Sequence, residues 1–358
     1  MRIRLAAMTA AAAAITLGTS MAPAAHADSP TPTPSPSKSP ATPPPPTSTN
    51  GNTVQLVASG LKTPTSFAFG GGHVFVGDGG DSEGNAPPNG GLYVLKGDTA
   101  VAVPSPLAFV AGLAWHQGAL YGSGGKLTKS GPAWGLYKWT GWNGTAFAHR
   151  KEIYAAPKKF DGFNGIAFGA DGRLYVGADV GLVDGNDHGP ATTSPHVYQI
   201  LSVKVDGSDL QVFASGIRQP WQMVFPAGSN SPYVTDLGQD KGAKNPPDFI
   251  LRVKAGDNYG FPKCNWTNAA SCKSFTKPYR TFSPHIDLMG IGLIGSKLYL
   301  TSFLGATGKA GEVFSLSTKG GKLTPLMTGF VAPTVGLGIN KGYVYVGELT
   351  GQVFRVKA

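Results

Sequence analysis

Charged residues and helical periodicity are both scarce in this 358-residue sequence, because only 14% of the residues are charged. Hardly any stretch repeats apolar residues at positions i, i+3, i+4 and i+7 over more than two turns, which excludes a bundle of helices. Glycine is abundant instead, with 51 residues. Short apolar stretches between glycine-rich turns are typical of β proteins, so the sequence predicts an all-β fold.

Cysteine is nearly absent, since Cys264 and Cys272 are the only two in the chain. No histidine or further cysteine stands near them at the spacing of zinc ligands, which disfavours a zinc site. A short polar segment separates the two residues. In a chain that leaves the reducing cytoplasm, such a pair is expected to form a disulfide that closes one small loop.

Long hydrophobic runs are missing beyond the N-terminus. Residues 5–22 form an uncharged Ala-rich run after a short basic start, and Ala25-His26-Ala27 has the small-x-small pattern of a cleavage site. Residues 1–27 are therefore predicted to be a signal peptide. The alternative, a membrane anchor, is disfavoured because Pro23 and small residues follow the run. No other segment offers the ~20 apolar residues of a membrane span, so the mature protein is expected to be secreted and free of the membrane.

Residues 28–52 lack the apolar side chains that a folded segment needs. They are almost entirely Ser, Thr, Pro and Ala, with consecutive prolines at Pro43–Pro46. Such a composition favours extended polyproline II conformations, and we expect a linker here. The predicted organisation is a signal peptide at 1–27, a linker at 28–52 and one β domain at 53–358.

Dense runs of basic residues are also missing, which makes nucleic acid an unexpected partner. The formal net charge is +10, and it is about +8 once Arg2 and Arg4 leave with the signal peptide. A basic surface outside the cell favours anionic partners. An anionic cell-wall polymer is therefore one expected partner, and association with the cell wall is one expected location.

The sequence does contain one motif that recurs: a short strand, a turn and a second short strand. Six copies occur, at residues 66–78, 111–122, 164–177, 221–236, 289–300 and 335–348. A third strand usually follows, so each copy predicts one blade of a six-bladed β-propeller. Only one strand follows the last copy, and Val54–Val57 is predicted to supply the missing outer strand and close the ring. A β-sandwich is the alternative, although it would not repeat one motif six times.

Polar side chains gather just before or after these strand pairs, where the loops of a propeller meet at one end of its channel. The segments are Lys158–Asn164, Arg218–Gln222, Asp236–Asp240, Asp248 and Gly256–Pro262. Carboxylate oxygens are preferred ligands of Ca²⁺, although loop aspartates also cap turns. The candidate calcium cluster consists of Asp161, Asp179, Asp184 and Asp187, and His188 is a candidate general base.

The stretch from Ile217 to Pro262 resembles the soluble quinoprotein glucose/sorbosone dehydrogenase family. The similarity is carried by Arg-x-Pro-x-x-Met from Arg218, Thr-Asp-x-Gly from Thr235 and, above all, Asn-Tyr-Gly-Phe-Pro from Asn258. It extends over nearly all of the mature domain. It implies a six-bladed propeller that binds pyrroloquinoline quinone and calcium over its channel and oxidises sugars.

The resemblance also implies roles for individual positions. The implied cofactor-binding residues are Arg218, Gln219, Gln222, Gly238, Gln239 and Tyr259, and the implied calcium ligands are Gly238, Gln239 and Asp248. The implied catalytic residues are Arg218, which matches the arginine that contacts the quinone, and Asp161. Asp161 stands where the family has its catalytic histidine, and an exposed carboxylate is a weaker base than histidine at neutral pH.

The sequence therefore predicts a secreted sugar dehydrogenase that uses pyrroloquinoline quinone and Ca²⁺ and acts on a small sugar or glycan. One alternative is a catalytically degenerate propeller that binds carbohydrate or a cell-wall polymer, which the missing histidine favours. A second alternative is a calcium-dependent lactonase on the same fold. The lack of a clear Glu/Asn/Asp metal set weighs against the lactonase.

Overall fold

The structure is a computed structural model that describes residues 44–81, 89–160, 162–179, 194–239, 246–304 and 310–358. The predicted signal peptide and most of the predicted linker lie outside the described residues. The same is true of four predicted site residues, Asp161, Asp184, Asp187 and His188.

The described residues form six antiparallel sheets, which we number as blades along the chain. Blade 1 consists of β3 (Pro64–Gly70), β4 (His73–Asp78), β5 (Gly91–Lys96) and β6 (Thr99–Val103). Blade 2 consists of β7 (Phe109–His116), β8 (Ala119–Thr128), β9 (Gly131–Trp142) and β10 (Phe147–Ala155). Blade 3 consists of β11 (Phe163–Phe168), β12 (Leu174–Ala178), β13 (Gln199–Val203) and β14 (Gln211–Ser215).

The second half of the chain repeats this arrangement. Blade 4 consists of β15 (Pro220–Val224), β16 (Tyr233–Asp236), β17 (Asp248–Arg252) and β18 (Arg280–Phe282). Blade 5 consists of β19 (Leu288–Ile294), β20 (Lys297–Ser302), β21 (Glu312–Ser317), β22 (Thr324–Thr328) and the early strand β1 (Thr47–Ser48). Blade 6 consists of β23 (Thr334–Asn340), β24 (Tyr343–Glu348), β25 (Val353–Lys357) and β2 (Gln55–Ala58).

Helix is almost absent from the described residues, where we find one 3-10 turn at Ala269–Cys272. No helix long and apolar enough to cross a membrane occurs in that part of the chain.

The first strands of the six blades lie side by side around a central channel. Each of β3, β7, β11, β15, β19 and β23 neighbours the next, and β23 neighbours β3. We call these six the inner strands. The closed succession confirms the predicted six-bladed β-propeller, and the six predicted strand pairs are the first two strands of the six blades.

The ring is closed by the N-terminal strand of the domain, as predicted. β2 pairs antiparallel with β25 and becomes the outer strand of blade 6, with Leu56 opposite Phe354. The preceding residues also bind the propeller, since β1 pairs with β22 on blade 5. The Nδ2 atoms of Asn50 and Asn52 donate to the Lys357 carbonyl at 3.0 and 3.1 Å. The last residues of the predicted linker therefore contact blades 5 and 6.

The hydrophobic core is divided into layers between neighbouring blades. Among the described residues, six clusters of buried apolar side chains each join one pair of adjacent blades. Between blades 1 and 2, for example, Phe75 packs with Leu120 and Trp139. Successive side chains of a strand point to opposite faces, and each sheet is covered by two neighbours, so consecutive residues are buried, as along Leu174–Ala178.

Neighbouring inner strands approach very closely at the channel, and two glycines show why. A Cβ atom on Gly165 would lie 2.7 Å from the carbonyl oxygen of Trp221, and one on Gly336 would lie 2.6 Å from that of Pro64. Real Cβ atoms do not tolerate such distances, so only glycine allows the inner strands of blades 3 and 6 to meet the next blade there.

Hydroxyl groups on second strands tie each of three blades to the next one. Ser123, Thr235 and Thr301 donate to the carbonyls of Asn164, Met289 and Val335 at 2.7, 2.6 and 3.0 Å. All three bonds are buried. They satisfy main-chain carbonyls of the inner strands that water does not reach.

Carboxylates at the ends of second strands hold the chain that enters the inner strands. Asp78 accepts hydrogen bonds from the amides of Lys62 and Thr63 at 2.8 and 3.0 Å. Asp236 accepts one from the amide of Gln219 at 2.7 Å. Burial raises the pKa of Asp236 to about 7, although the amide of Gln219 and the nearby Arg218 charge oppose that increase.

Replacing Thr301 by Val should destabilise the protein without changing its shape. Thr301 Oγ1 accepts from the Gly290 amide at 2.6 Å and donates to the Val335 carbonyl, so Val leaves both groups buried without a partner. We expect the free energy of unfolding to fall by about 2–3 kcal/mol in urea denaturation. Thr324→Val, at an exposed position of strand β22, is the control and should stay within about 0.5 kcal/mol of the parent. Equal effects of the two substitutions would contradict the role given to Thr301.

Replacing Asp236 by Asn should flatten the pH dependence of stability. The pKa of Asp236 is raised in the folded state above its ordinary value of 3.8, so the folded protein retains a proton that the unfolded chain releases. Stability from this group is therefore lost as the pH rises from about 4 to about 7. The measured quantity is the free energy of unfolding of the parent minus that of Asp236→Asn. We expect this difference to decrease as the pH rises from about 4 to about 7.

The matched control is Asp98→Asn, in the exposed turn between β5 and β6. This variant should follow the parent at every pH. Parallel profiles for the parent and Asp236→Asn would show that Asp236 is ionised in the folded state throughout the window.

Candidate functional site

A ring of buried residues surrounds one end of the channel. Each inner strand has a bulge near its start, where its register against the second strand shifts. The first bulge residues of the six blades are Thr65, Ala111, Asn164, Trp221, Met289 and Val335, which we call the channel-mouth ring. Trp221, Met289 and Val335 from three successive blades pack together and form an apolar arc of the ring.

Asn164 is a polar member of the ring on blade 3, the blade before this apolar arc. Its side chain is buried, with 1% of the residue exposed. Within the described residues, neither its Oδ1 nor its Nδ2 has a hydrogen-bond partner. A buried carboxamide without partners costs about 1–3 kcal/mol, so its presence calls for a functional explanation.

The structure brings most of the residues that the resemblance implied to one place. Arg218 Nη1 donates to the carbonyls of Gly238 and Leu237 at 2.8 and 3.1 Å and to Gln219 Oε1 at 3.2 Å. Gln239 and Tyr259 line the same small cavity as Arg218 and Gly238. Arg218, Gln219, Gly238, Gln239 and Tyr259 therefore belong to one cluster, which we call the Arg218 cluster.

The cavity inside the Arg218 cluster has no room for pyrroloquinoline quinone, and binding of the quinone over the channel stays a prediction. The cavity is about 20 Å³, which is room for about one water molecule rather than for a tricyclic ring system. The guanidinium of Arg218 is buried and already binds main-chain carbonyls of the loop after β16. These residues hold the loops around the cavity together, and no chemical step with the quinone is assigned to them.

Gln222 lies apart from the Arg218 cluster, inside the channel. Its Oε1 accepts from the Ile291 amide at 3.1 Å, and its Nε2 donates to the Leu337 carbonyl at 2.9 Å. The side chain thereby joins the inner strands of blades 4, 5 and 6. Its carboxamide is occupied by main-chain groups of the protein itself, unlike that of Asn164.

Asp248, the implied calcium ligand, is fully buried and binds main-chain amides. It accepts hydrogen bonds from Gly238 at 2.8 Å, Ile286 at 2.9 Å and Leu288 at 3.3 Å. Burial raises its pKa, and the neighbouring His285, whose Nδ1 lies 3.4 Å from Oδ1, opposes that increase. Among the described residues, no group of three or more His, Cys, Asp or Glu side chains could hold a metal ion. Calcium binding at this point stays a prediction.

The Asn-Tyr-Gly-Phe-Pro segment joins two blades. It leaves blade 4 after β17 and runs along β14 of blade 3, where the amides of Tyr259 and Phe261 donate to the carbonyls of Ser215 and Gly216 at 3.0 Å each. The hydroxyl of Tyr259 donates to the Arg252 carbonyl at 3.1 Å. The disulfide predicted between Cys264 and Cys272 follows directly and is confirmed, with 5.5 Å between the Cα atoms.

Asp179 is the one member of the predicted calcium cluster that the structure describes. It is buried at the end of blade 3, where its amide donates to the Gly162 carbonyl at 2.8 Å. The other three members, Asp161, Asp184 and Asp187, lie outside the described residues, as does His188.

In the sequence Asn164 is part of the polar segment Lys158–Asn164, without a predicted role of its own. A signal was nevertheless present. When the six strand pairs are aligned on their first strands, Asn164 shares a column with Thr65, Ala111, Trp221, Met289 and Val335. It is the one carboxamide in that column, at a position that the ring structure buries.

No family model and no curated protein matches the sequence. The fold, in contrast, has clear relatives among solved structures. An oxidoreductase from Thermus thermophilus, described as a glucose dehydrogenase, aligns with a TM-score of 0.62 and 17% identity over 86% of this chain and 100% of that chain. A gluconolactonase from Xanthomonas campestris aligns with a TM-score of 0.55 and 12% identity over 88% of this chain and 94% of its own.

A luciferin-regenerating enzyme aligns about equally well, with a TM-score of 0.56 and 13% identity over 86% of this chain and 96% of that chain. At such low identities these similarities establish the fold alone. The chain is thus a six-bladed β-propeller with structural neighbours that include a glucose dehydrogenase-like protein and a gluconolactonase.

Proposed function

We propose that this protein binds a small neutral sugar or sugar lactone at the channel-mouth ring. The observation that supports the proposal is the carboxamide of Asn164, which is buried and has no hydrogen-bond partner among the described residues. A carboxamide offers a donor and an acceptor together, and a sugar hydroxyl is both an acceptor and a donor. The two groups therefore match each other.

The rest of the ring suits the same ligand class. Trp221, Met289 and Val335 form an apolar arc on the three blades that follow Asn164. Sites for small ligands commonly combine an apolar and aromatic wall with a few placed polar groups, and a sugar ring has both C–H faces and hydroxyls. The structural neighbours described as a glucose dehydrogenase and a gluconolactonase are named after substrates of this chemical class.

The proposal assigns binding to the ring and no redox step. It corresponds to a propeller that has kept a sugar site without the quinone, because the Arg218 cluster has no room for that cofactor. We also propose that the protein acts outside the cell. That location is supported by the signal-like residues 1–27 and by the disulfide between Cys264 and Cys272.

Isothermal titration calorimetry with D-glucose, D-galactose, cellobiose and D-glucono-1,5-lactone tests the proposal. We expect saturable binding of at least one of these compounds and no binding of pyrroloquinoline quinone with Ca²⁺. Hydrolysis of the bound lactone in a chelator-sensitive assay would identify a lactonase. Reduction of a dye in the presence of the quinone would instead identify a dehydrogenase and would contradict the proposal, as would the absence of any binding.

Replacing Asn164 by Leu should abolish sugar binding and at the same time stabilise the protein. Leu has the same number of side-chain heavy atoms and removes a buried polar group that has no partner among the described residues of the ligand-free protein. We expect the free energy of unfolding to rise by about 1 kcal/mol and binding to fall below detection in calorimetry. If Asn164 had only a structural role, the same substitution would lower the free energy of unfolding.

Asn340→Leu provides the matched control. Asn340 is a half-buried Asn at the far end of the inner strand β23, away from the bulge that forms the ring. This variant should bind sugar as the parent does. Loss of stability in Asn164→Leu, or unchanged sugar binding, would refute the role of Asn164.

A further inference from the structure

A second, larger cavity lies between blade 3 and the loop that the disulfide closes. We call residues 254–277 the disulfide loop. The cavity is about 270 Å³, and its walls include Tyr198, Gln199, Asn258, Phe261, Lys263 and Phe275. Its lining, as far as the structure describes the chain, includes no residue of the channel-mouth ring. It is therefore a site separate from the proposed sugar site.

The walls of this cavity are held in place by main-chain contacts. The disulfide loop is bonded to β14 through the amides of Tyr259 and Phe261, and it is cross-linked by Cys264 and Cys272. Phe275 packs directly on Gly260, where an added Cβ would lie 2.7 Å from the phenyl ring. The ring of Phe261 meets that of Tyr198 edge to face at 4.9 Å. A site with fixed walls loses little conformational entropy when a ligand binds.

The disulfide loop is strongly basic. It contains four exposed lysines and one acidic residue: Lys254, Lys263, Lys273, Lys277 and Asp257. Oδ2 of Asp257 accepts a hydrogen bond from the Lys254 amide at 2.8 Å and lies 3.3 Å from the Tyr259 hydroxyl. Within the described residues, no acidic side chain lines the cavity and Lys263 makes no ion pair. The described walls therefore offer a positive charge without a counter-charge.

We propose that this cavity binds an anionic sugar residue, that is, a sugar ring that carries a carboxylate or a phosphate. Lys263 pairs with the anionic group, because an ammonium on a flexible stem binds such groups as a point charge. The half-buried rings of Phe261 and Phe275 pack against the C–H face of the sugar. The carboxamides of Gln199 and Asn258 bind its hydroxyls, as polar groups at the rim of an aromatic-lined site commonly do.

Calorimetric titration of the whole protein with three probes tests this assignment and separates the two sources of charge. The probes are trigalacturonate, which carries carboxylates, glucose 6-phosphate, which carries a phosphate, and maltotriose, which carries no charge. We expect at least one of the two anionic probes to bind at least tenfold more tightly than maltotriose. The anionic probe that binds identifies which charged group the site selects.

Lys263→Gln and Lys273→Gln form a matched pair of variants. Each removes one exposed lysine from the disulfide loop, but only Lys263 lines the cavity. We expect Lys263→Gln to weaken binding of the anionic probe about tenfold and Lys273→Gln to change it less than twofold. Equal weakening by both variants would show attraction to the net charge of the loop and would overturn the proposal.

A further pair of variants distinguishes this cavity from the channel-mouth ring. Asn164→Leu should bind the anionic probe as the parent does, whereas Phe275→Leu should weaken it while leaving binding of the neutral sugar intact. Loss of anionic binding in Asn164→Leu would place the ligand at the channel mouth and refute the second site. Failure of all three probes to bind would also refute it, whatever the result at the channel mouth.

Discussion

The propeller depends on buried hydrogen bonds at the point where each inner strand begins. Neighbouring blades cover these strands on both sides, so water does not reach their main-chain amides and carbonyls. The protein satisfies them with a hydroxyl at Thr301 and with a carboxylate at Asp236, and it brings strands into direct contact at Gly165. Removing one such partner leaves a buried polar group unpaired, which costs more than the loss of an average apolar contact of the same size.

The same constraint explains why polar residue types at the channel are poor guides to function. Arg218, Gln222 and Asp248 all suggest binding chemistry by their type, and all three bind main-chain groups of this protein. A functional side chain must keep hydrogen-bonding capacity for a ligand. By this criterion Asn164 differs from the other three, because its carboxamide is buried and has no partner among the described residues. The unpaired carboxamide destabilises the ligand-free protein. A ligand that supplies the missing hydrogen-bond partners would recover that free energy on binding.

Most of the fold could be predicted from the sequence, because strand pairs such as those at residues 66–78 and 335–348 are short apolar segments joined by glycine turns. Counting strands also predicted the closing role of Val54–Val57. The edge strand Thr47–Ser48 could not be predicted, since it pairs through main-chain bonds and its Ser/Thr/Pro-rich surroundings carry no apolar pattern. The candidate site was predicted less well. Whether a buried polar residue such as Asn164 is paired depends on neighbours from other blades, which the sequence does not reveal.

The segment that carries the most specific part of the resemblance has a structural task. Residues 258–262 fasten blade 4 to blade 3 through main-chain bonds to Ser215 and Gly216, and they leave Tyr259 buried against Arg252. These contacts hold the two blades together whatever the propeller binds, because they lie within the protein. The segment is therefore evidence for the propeller fold and not for a particular reaction. Propellers with different chemistry can share such contacts between blades, because fold and function are separable.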